Sequence, residues 1–466
     1  MMMAQSKASS LSDQTSGGGP RSLVEGNLWR AIWSMSWPLL LTTTSSSLIG
    51  LVDMQVAGTL GSTQQAAVGV SEQILFLFMI FIMCIGVGTT AMVSRAWGAG
   101  NKAEALESTA QSISLSFGMG VFLCLLSISC ARYGLRLFSE APNVVAFATR
   151  YLAVYSLFLL PFSIVSIINA SYRAIGDTKT PLMIVGCMTV LNITGDYATV
   201  LGNWPIPGLG LIGIAVSGIT ASWFGSALGI FFIMRSPLQG CLKRLLPVYL
   251  TYVKRILHIG IPSAMQRLGW SLSVFVLFFI LTRCGHPTEA IASWTIGMRL
   301  EGLIFMPLMA LSLAVSSIVG QNLGAERIDR AVGAGWKTAW MGIGMMVVMG
   351  AALVIFAPSL AQVMSKDPQT IQFVTGYLRI NGLSEPFLAL GMILSGALQG
   401  AGDTRTPMWI TLVCHWVIRL PLAWLLAVHY QWGPNGAWAA MASSVVVSGF
   451  LCAWRFQSKG WVKTKV

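Results

Sequence analysis

Ten charged side chains lie inside long apolar stretches of this sequence. They are the acids Asp53, Glu72, Asp196, Glu301 and Glu385 and the arginines Arg150, Arg267, Arg299, Arg379 and Arg419. A charge at the centre of a bilayer costs at least about 2.5–3.5 kcal/mol, so each of these residues needs a partner or a function. Asn192 and Asp196 stand four apart in Leu191-Asn192-Ile193-Thr194-Gly195-Asp196 and therefore share one face of a helix. Joined by Asp53 from a second helix, they form a pocket of hard oxygen donors suited to a proton or a sodium ion. Asn169 offers another amide oxygen to the same pocket. Ser217 and Thr220 are weaker candidates, because hydroxyls on membrane helices commonly bond their own backbone. In the second half, Arg267, Glu301 and Glu385 fall on different helices and are expected to form a structural charge network. Arg299, two residues from Glu301, cannot face it on a regular helix.

These residues must be positioned by helices that cross a membrane. Of the 466 residues, 55% are hydrophobic and only 10% charged, against about 25% charged in soluble domains. Runs long enough to cross the hydrocarbon core fall near residues 31–57, 66–92, 105–131, 146–171, 180–203 and 211–234, and again near 255–282, 290–319, 331–357, 370–399, 406–429 and 435–457. The expected fold is thus an all-α integral membrane protein with twelve transmembrane helices. Of the 29 Lys and Arg, 20 fall on the side of the termini, and four (Arg132, Arg136, Arg283 and Lys366) on the other. That asymmetry places both termini in the cytoplasm of a multi-pass protein of the cell membrane, the inner one in a Gram-negative cell. It also accounts for the net charge of +13 without nucleic acid.

The chain repeats itself. Gly176-Asp177-Thr178-Lys179-Thr180-Pro181 recurs as Gly402-Asp403-Thr404-Arg405-Thr406-Pro407, 226 residues later. The same offset carries Val93 and Gly98-Ala99 onto Val319 and Gly324-Ala325, so two separate loops agree without a gap. Six helices per repeat is an even number, so the halves are parallel repeats related by an axis along the membrane normal. Each Gly-Asp-Thr segment reads as a hairpin turn followed by a helix start. The expected organisation is a disordered cytoplasmic tail (1–28), an N-lobe (29–235), a basic cytoplasmic linker (236–253), a C-lobe (254–457) and a short cytoplasmic tail (458–466). The repeat sharpens the site as well: its offset sends Asn192 to Ile418, Asp196 to Leu422 and Asp53 to Phe279. The polar pocket belongs to the first half alone.

Several segments together resemble the MATE (multidrug and toxin extrusion) family. They are Pro38 followed by Leu51-Val52-Asp53, Trp97-Gly98-Ala99-Gly100-Asn101, Gly320-Gln321-Asn322-Leu323-Gly324-Ala325 and the paired Gly-Asp-Thr turns. The resemblance spans residues 30–457. It implies two pseudo-symmetric six-helix lobes that rock about a central cavity, exporting organic, usually cationic, drugs or toxins in exchange for protons or sodium ions. It agrees with an amino-lobe coupling site at Asp53, Asn192 and Asp196. Sodium-coupled members often carry further acids on helices 7 and 10. The corresponding positions here are Trp270 and Leu388, with Glu385 close by.

Other classes fit less well. A lipid-linked oligosaccharide flippase of the same superfamily calls for a cationic cavity. An integral-membrane enzyme calls for a nucleophile or metal constellation, but His258, His286, His415 and His429 are dispersed, and the eight cysteines show no CxxC pair. There is no P-loop motif. No cofactor is expected beyond the coupling ion, and the partners are small organic cations or drugs and membrane lipids, with the protein a monomer. The topology is open to direct test: thiol labelling of cysteines introduced at Gly61 and Lys243 should give opposite sides of the membrane, and equal labelling from outside would refute the charge-based orientation.

Overall fold

In a computed structural model the described residues are 23–133, 142–202 and 208–464. Twelve long helices follow one another: α1 (Leu28–Leu60), α2 (Ser62–Gly98), α3 (Lys102–Tyr133), α4 (Pro142–Tyr155, continuing through a 3-10 turn at Ser156–Phe158 into Leu159–Ile175), α5 (Lys179–Leu201) and α6 (Leu211–Met234) form the first half. The second half comprises α7 (Leu250–Leu281), α8 (Pro287–Gly324), α9 (Ile328–Met364), α10 (Pro368–Gly400), α11 (Arg405–His429) and α12 (Pro434–Gln457). Eleven of the twelve are long and apolar enough to cross a membrane. The other, α10, has the length at 33 residues but buries Asn381, Ser384 and Glu385. It packs against α8, α9 and α12, and this protein contact suits its polar positions.

Both Gly-Asp-Thr segments are turns of the same design. Gly176 (φ 94°) and Gly402 (φ 88°) adopt the left-handed conformation that ends α4 and α10, which glycine enters without a Cβ clash. The next carboxylate then caps the following helix. Asp177 Oδ1 accepts the N–H groups of Lys179 and Thr180 at 3.0 Å, and Asp403 Oδ1 accepts that of Thr406 at 3.2 Å. Among the described residues only the second turn is clamped by an ion pair, from Arg455 at 2.7 Å to Asp403 Oδ2; the repeat position of Arg455 in the first half is Gly229.

The halves meet at one end. The last turns of α2 and α8 cross so closely that a Cβ on Gly98 would collide with the Gln321 backbone, and one on Gly324 with the Arg95 backbone. Gln321 and Gly324 are the 226-residue images of Arg95 and Gly98, so the contact is its own symmetry mate. Flanking it, a Cβ on Gly88 would lie 2.6 Å from the Ile256 carbonyl and one on Gly260 2.7 Å from that of Cys84, bringing α7 onto α2. Residues of α1 up to Leu39 join the C-lobe core, whereas Val56 and Ala57 join an N-lobe core. On α7, likewise, Ile256 and Ile259 join the N-lobe and Leu277 and Ile280 the C-lobe. The lobes are therefore fused at the end carrying the described termini and part toward the other end.

The expectation of a disordered tail up to residue 28 needs correction at its end. Residues 1–22 lie outside the described residues, but Leu23–Asn27 are not free: Leu23 is buried, and its carbonyl accepts from Asn322 Nδ2 at 3.2 Å. At the other end Gly460–Lys463 form a 3-10 turn, whose Trp461 ring stacks on Phe456 at 4.8 Å. Apolar burial of Leu23 outweighs the polar composition of the N-terminal segment there. The linker is pinned too, by the buried Gln111 of α3. Its amide donates to the carbonyls of Arg244 at 3.3 Å and Pro247 at 3.0 Å and accepts from the Tyr249 N–H at 2.8 Å. Within the linker, burial pushes the Cys241 thiol up to about 12.

The crossing predicts an asymmetric response to added methyl groups. Gly324→Ala meets backbone, which cannot swing aside, and should destabilise by about 1–3 kcal/mol. Gly118→Ala in α3 meets nothing within 4 Å and should be neutral or mildly stabilising, by up to about 1 kcal/mol. Thermal unfolding in detergent compares them, and equal midpoints would contradict the packing described.

Candidate functional site in the first lobe

The pocket is assembled by two parallel helices in constant register. Thr178 Oγ1 donates to the Ser34 carbonyl at 3.5 Å, and Thr189 Oγ1 to that of Ser45 at 3.4 Å. Both pairs are 144 residues apart, and carrying that register on brings Asp53 level with Asp196 and Tyr197. Asp53 is 2% exposed, Asn192 1% and Asp196 0%. The two carboxyl groups are electrostatic neighbours, and two ionised carboxylates so placed repel unless a proton or a cation joins them.

Small residues let this polar layer form. A Cβ on Gly195 would lie 2.8 Å from the Ser217 side chain, and one on Gly218 3.1 Å from the Tyr155 ring, so α5, α6 and α4 close on one another. Ser217, rated weakly from the sequence, sits in the pocket: its hydroxyl donates to Asp196 Oδ1 and lies 3.5 Å from Asn192 Nδ2. Thr220 instead bonds the Val216 carbonyl of its own helix at 2.7 Å. Asp53 Oδ1, Asn192 Oδ1 and Asp196 Oδ2 are buried with no hydrogen-bond partner among the described residues. Three oxygens of this kind, from two helices, form a donor set without internal donors to match it. They fit a proton shared between carboxyl groups or a hard cation.

Asn169 belongs elsewhere. It lies on α4 fourteen residues beyond Tyr155, about 20 Å along the helix axis at 1.5 Å per residue, near the fused end of the lobes. Helix position, which composition does not weigh, excludes it from the pocket. Glu72 of α2 takes a place there that the sequence reading did not give it: together with Tyr151 and Tyr155 it lies in the electrostatic field of Asp53. The available signal was that Glu72, like Asp53 and Asp196, maps by the repeat offset onto an apolar residue, Met298. Tyr151 also lines a cavity of roughly 300 Å³ toward the open end of the lobe, with Gln64, Phe147 and Arg150.

The second-lobe network also differs from expectation. Among the described residues Arg267 forms no ion pair, and Cys84 is its electrostatic neighbour. The cation facing Glu301 is Arg419. Arg419 lies on a stretch of α11 that opens into π-helical winding at Val413–Arg419, and its Nε donates to Ser444 Oγ at 2.8 Å. Tyr377 donates its hydroxyl to Glu301 and packs edge-on against Trp438 at 4.9 Å. Glu385, 2% exposed, completes the group as a second acid near Glu301. Counting charges along the chain cannot choose between two intramembrane arginines. Among the described residues no cluster of three or more His, Cys, Asp or Glu has the spacing of a metal site.

Comparison with known proteins agrees with this architecture. The MatE family model matches residues 38–198 and 262–425, one segment in each half. A probable multidrug resistance protein NorM of Thermotoga maritima is 29% identical over 436 residues, 93% of each chain. The multidrug resistance protein MdtK of Yersinia enterocolitica is 24% identical over 92% of this chain and 95% of its own. Among solved structures, the Vibrio cholerae MATE transporter VcmN shares the fold with a TM-score of 0.87 at 22% identity, over 94% of this chain and 99% of that one. With the family pattern present in both six-helix halves and the twelve-helix body matched throughout, the chain belongs to the MatE family: it is a multi-pass membrane transporter of the multidrug and toxin extrusion class and not an enzyme.

Proposed function

We propose that this protein exports organic, cationic drugs or toxins across the cell membrane in exchange for protons, by alternating access of its two lobes, with both termini in the cytoplasm. The observation that carries the proposal is the set of three unpartnered, buried oxygens on Asp53, Asn192 and Asp196. Nothing architectural calls for it, because the repeat-related positions in the second lobe are apolar. The drug-resistance names of the two relatives support the export of drugs. Protons are preferred to sodium because the positions that correspond to the acids on helices 7 and 10 of sodium-coupled members are Trp270 and Leu388, and Glu385 beside the latter lies in the Glu301 group. The acidic first-lobe pocket argues against a pyrophosphate-binding flippase.

In this reading the lobes, closed at the termini side and parted at the other, present the state that releases substrate outward and takes up the coupling ion. A proton shared between Asp53 and Asp196 cancels one of their two negative charges and so weakens the attraction of the pocket for a cationic substrate. The same site thus holds ion or substrate charge in turn, which is the requirement for exchange. Ser217 keeps Asp196 oriented, and Glu72 with Tyr151 lies on the side from which the ion enters.

Asp53→Asn retains size and hydrogen bonding but can neither carry the proton nor offer a charge, and it eases rather than hinders membrane insertion. It should abolish coupled export at unchanged expression. Asp196→Asn should do the same, with the double variant little worse than either single one, since groups acting as one site are not additive. Glu289→Gln, in the first turn of α8, serves as the silent control. Efflux by Asp53→Asn close to wild type at equal expression would remove the first-lobe pocket from the mechanism. The ion is decided separately in everted vesicles, by varying sodium at fixed pH and then the reverse. Protons predict export that follows the pH gradient in sodium-free buffer, and strict sodium dependence would reverse the assignment.

A further inference from the structure

Each half of the chain places one long polar side chain in the last turn of the helix that crosses the seam. Arg95 on α2 and Gln321 on α8 are 226 residues apart and so occupy the same repeat position. Gln321 is wholly buried. Its Nε2 reaches across the seam and donates to the Ala174 carbonyl, at the end of α4 in the other lobe, at 2.7 Å. Arg95 reaches in the opposite sense: its Nη1 donates to the Thr464 carbonyl at 2.6 Å. Thr464 lies on the segment that leaves α12, and that segment is held to the second lobe by the buried Trp461, whose Nε1 donates to the Phe456 carbonyl at 2.8 Å.

We propose that Arg95 and Gln321 are the paired tethers of the termini-side gate, one thrown from each lobe to backbone of the other, and that they set how often the transporter opens on that side. The proposal rests on the rocking of two lobes described above. Each tether ends on a backbone carbonyl that belongs to the opposite lobe, so separation of the lobes at this end must break both. At the crossing between them Gly98 and Gly324 bring backbone onto backbone, which cannot swing aside to follow the motion. The crossing therefore either stays closed or parts, and the two side chains bias that choice. The N-terminal segment adds to the same closure. Leu23 sits against Gly176 of the first lobe while its carbonyl is held by Asn322 of the second.

Neither tether touches the ion pocket, so their loss should move the lobe equilibrium without altering the ion site itself. Removing one hydrogen bond of this kind shifts an equilibrium by about three- to tenfold. The test is pulsed electron paramagnetic resonance on the full chain with spin labels at Lys179 and Arg405. These are exposed, repeat-related positions on opposite lobes, and Cys130 and Cys187 are replaced by Ser. Gln321→Leu and Arg95→Met should each enlarge a longer-distance population about three- to tenfold, and the double variant should enlarge it further. A second label pair inside the first lobe, at Lys102 and Lys179, should be unchanged in every variant. An inter-lobe distribution identical to the parent's in folded protein would overturn the proposal. A change in the intra-lobe pair would also overturn it, because the residues would then be holding one lobe together rather than joining two. No ion or drug is needed for the measurement, so its outcome stands apart from the choice of coupling ion and substrate.

Discussion

An ionised carboxyl group withdrawn from water into a helical bundle is tolerated only when something positive or a hydrogen-bond donor compensates it. This structure resolves that constraint differently in its two halves. In the first lobe Asp53 and Asp196 are electrostatic neighbours, and among the described residues one side-chain hydroxyl, that of Ser217, donates to them. Oxygens of Asp53, Asn192 and Asp196 are left without partners among those residues. In the second lobe Glu301 faces Arg419 and accepts the Tyr377 hydroxyl, and Arg419 is bonded in turn to Ser444. A pocket closed by its own donors is static, whereas one that lacks them depends on what arrives from outside. Glu385 keeps one oxygen without a partner, so the second network is less open than the first but not saturated.

That difference arises on one scaffold. The Gly-Asp-Thr turns, the crossing glycines and the helix order are common to both halves, whereas the π-helical winding of α11 has no counterpart in α5. Glycine and serine do much of the positioning. Gly195 and Gly218 let α5, α6 and α4 approach around the pocket, and Gly297 admits the Tyr377 ring beside Glu301. Helix packing within a bilayer gains little from the hydrophobic effect, so close backbone approach through small residues is what holds such interfaces.

The α1 helix connects the two functional regions. Its residues up to Leu39 pack in the second-lobe core at the fused end, and its later part carries Asp53 into the first lobe. Between them Pro38 removes a backbone donor, and a run of Thr and Ser from Thr42 to Ser47 satisfies several carbonyls of its own helix, including that of Pro38 at 2.8 Å. A change of charge at Asp53 thus acts on the helix that also contributes to the lobe seam. In the proposed cycle that continuity is the physical link between ion binding and the gate.

The sequence alone determined the class, the twelve helices, the repeat and the half in which the acidic pocket lies. Hydropathy reports the cost of exposing a polar backbone to lipid, and a fixed 226-residue offset reports shared geometry; both are written in residue type and spacing. Asp53 with Asn192 and Asp196 was legible for the same reason, since intramembrane acids are rare and one helix turn fixes which residues share a face. Partners across helices were not legible. Only the tertiary structure placed Ser217 and Glu72 with the pocket and set Asn169 about 20 Å away along α4. It also made Arg419, not Arg267, the cation whose charge acts on Glu301, and packed Leu23 and Trp461 of the terminal segments. These outcomes depend on the rotation and register of helices against one another, which are set by glycine contacts and the parallel alignment of α1 with α5. No pattern along a single chain segment encodes them.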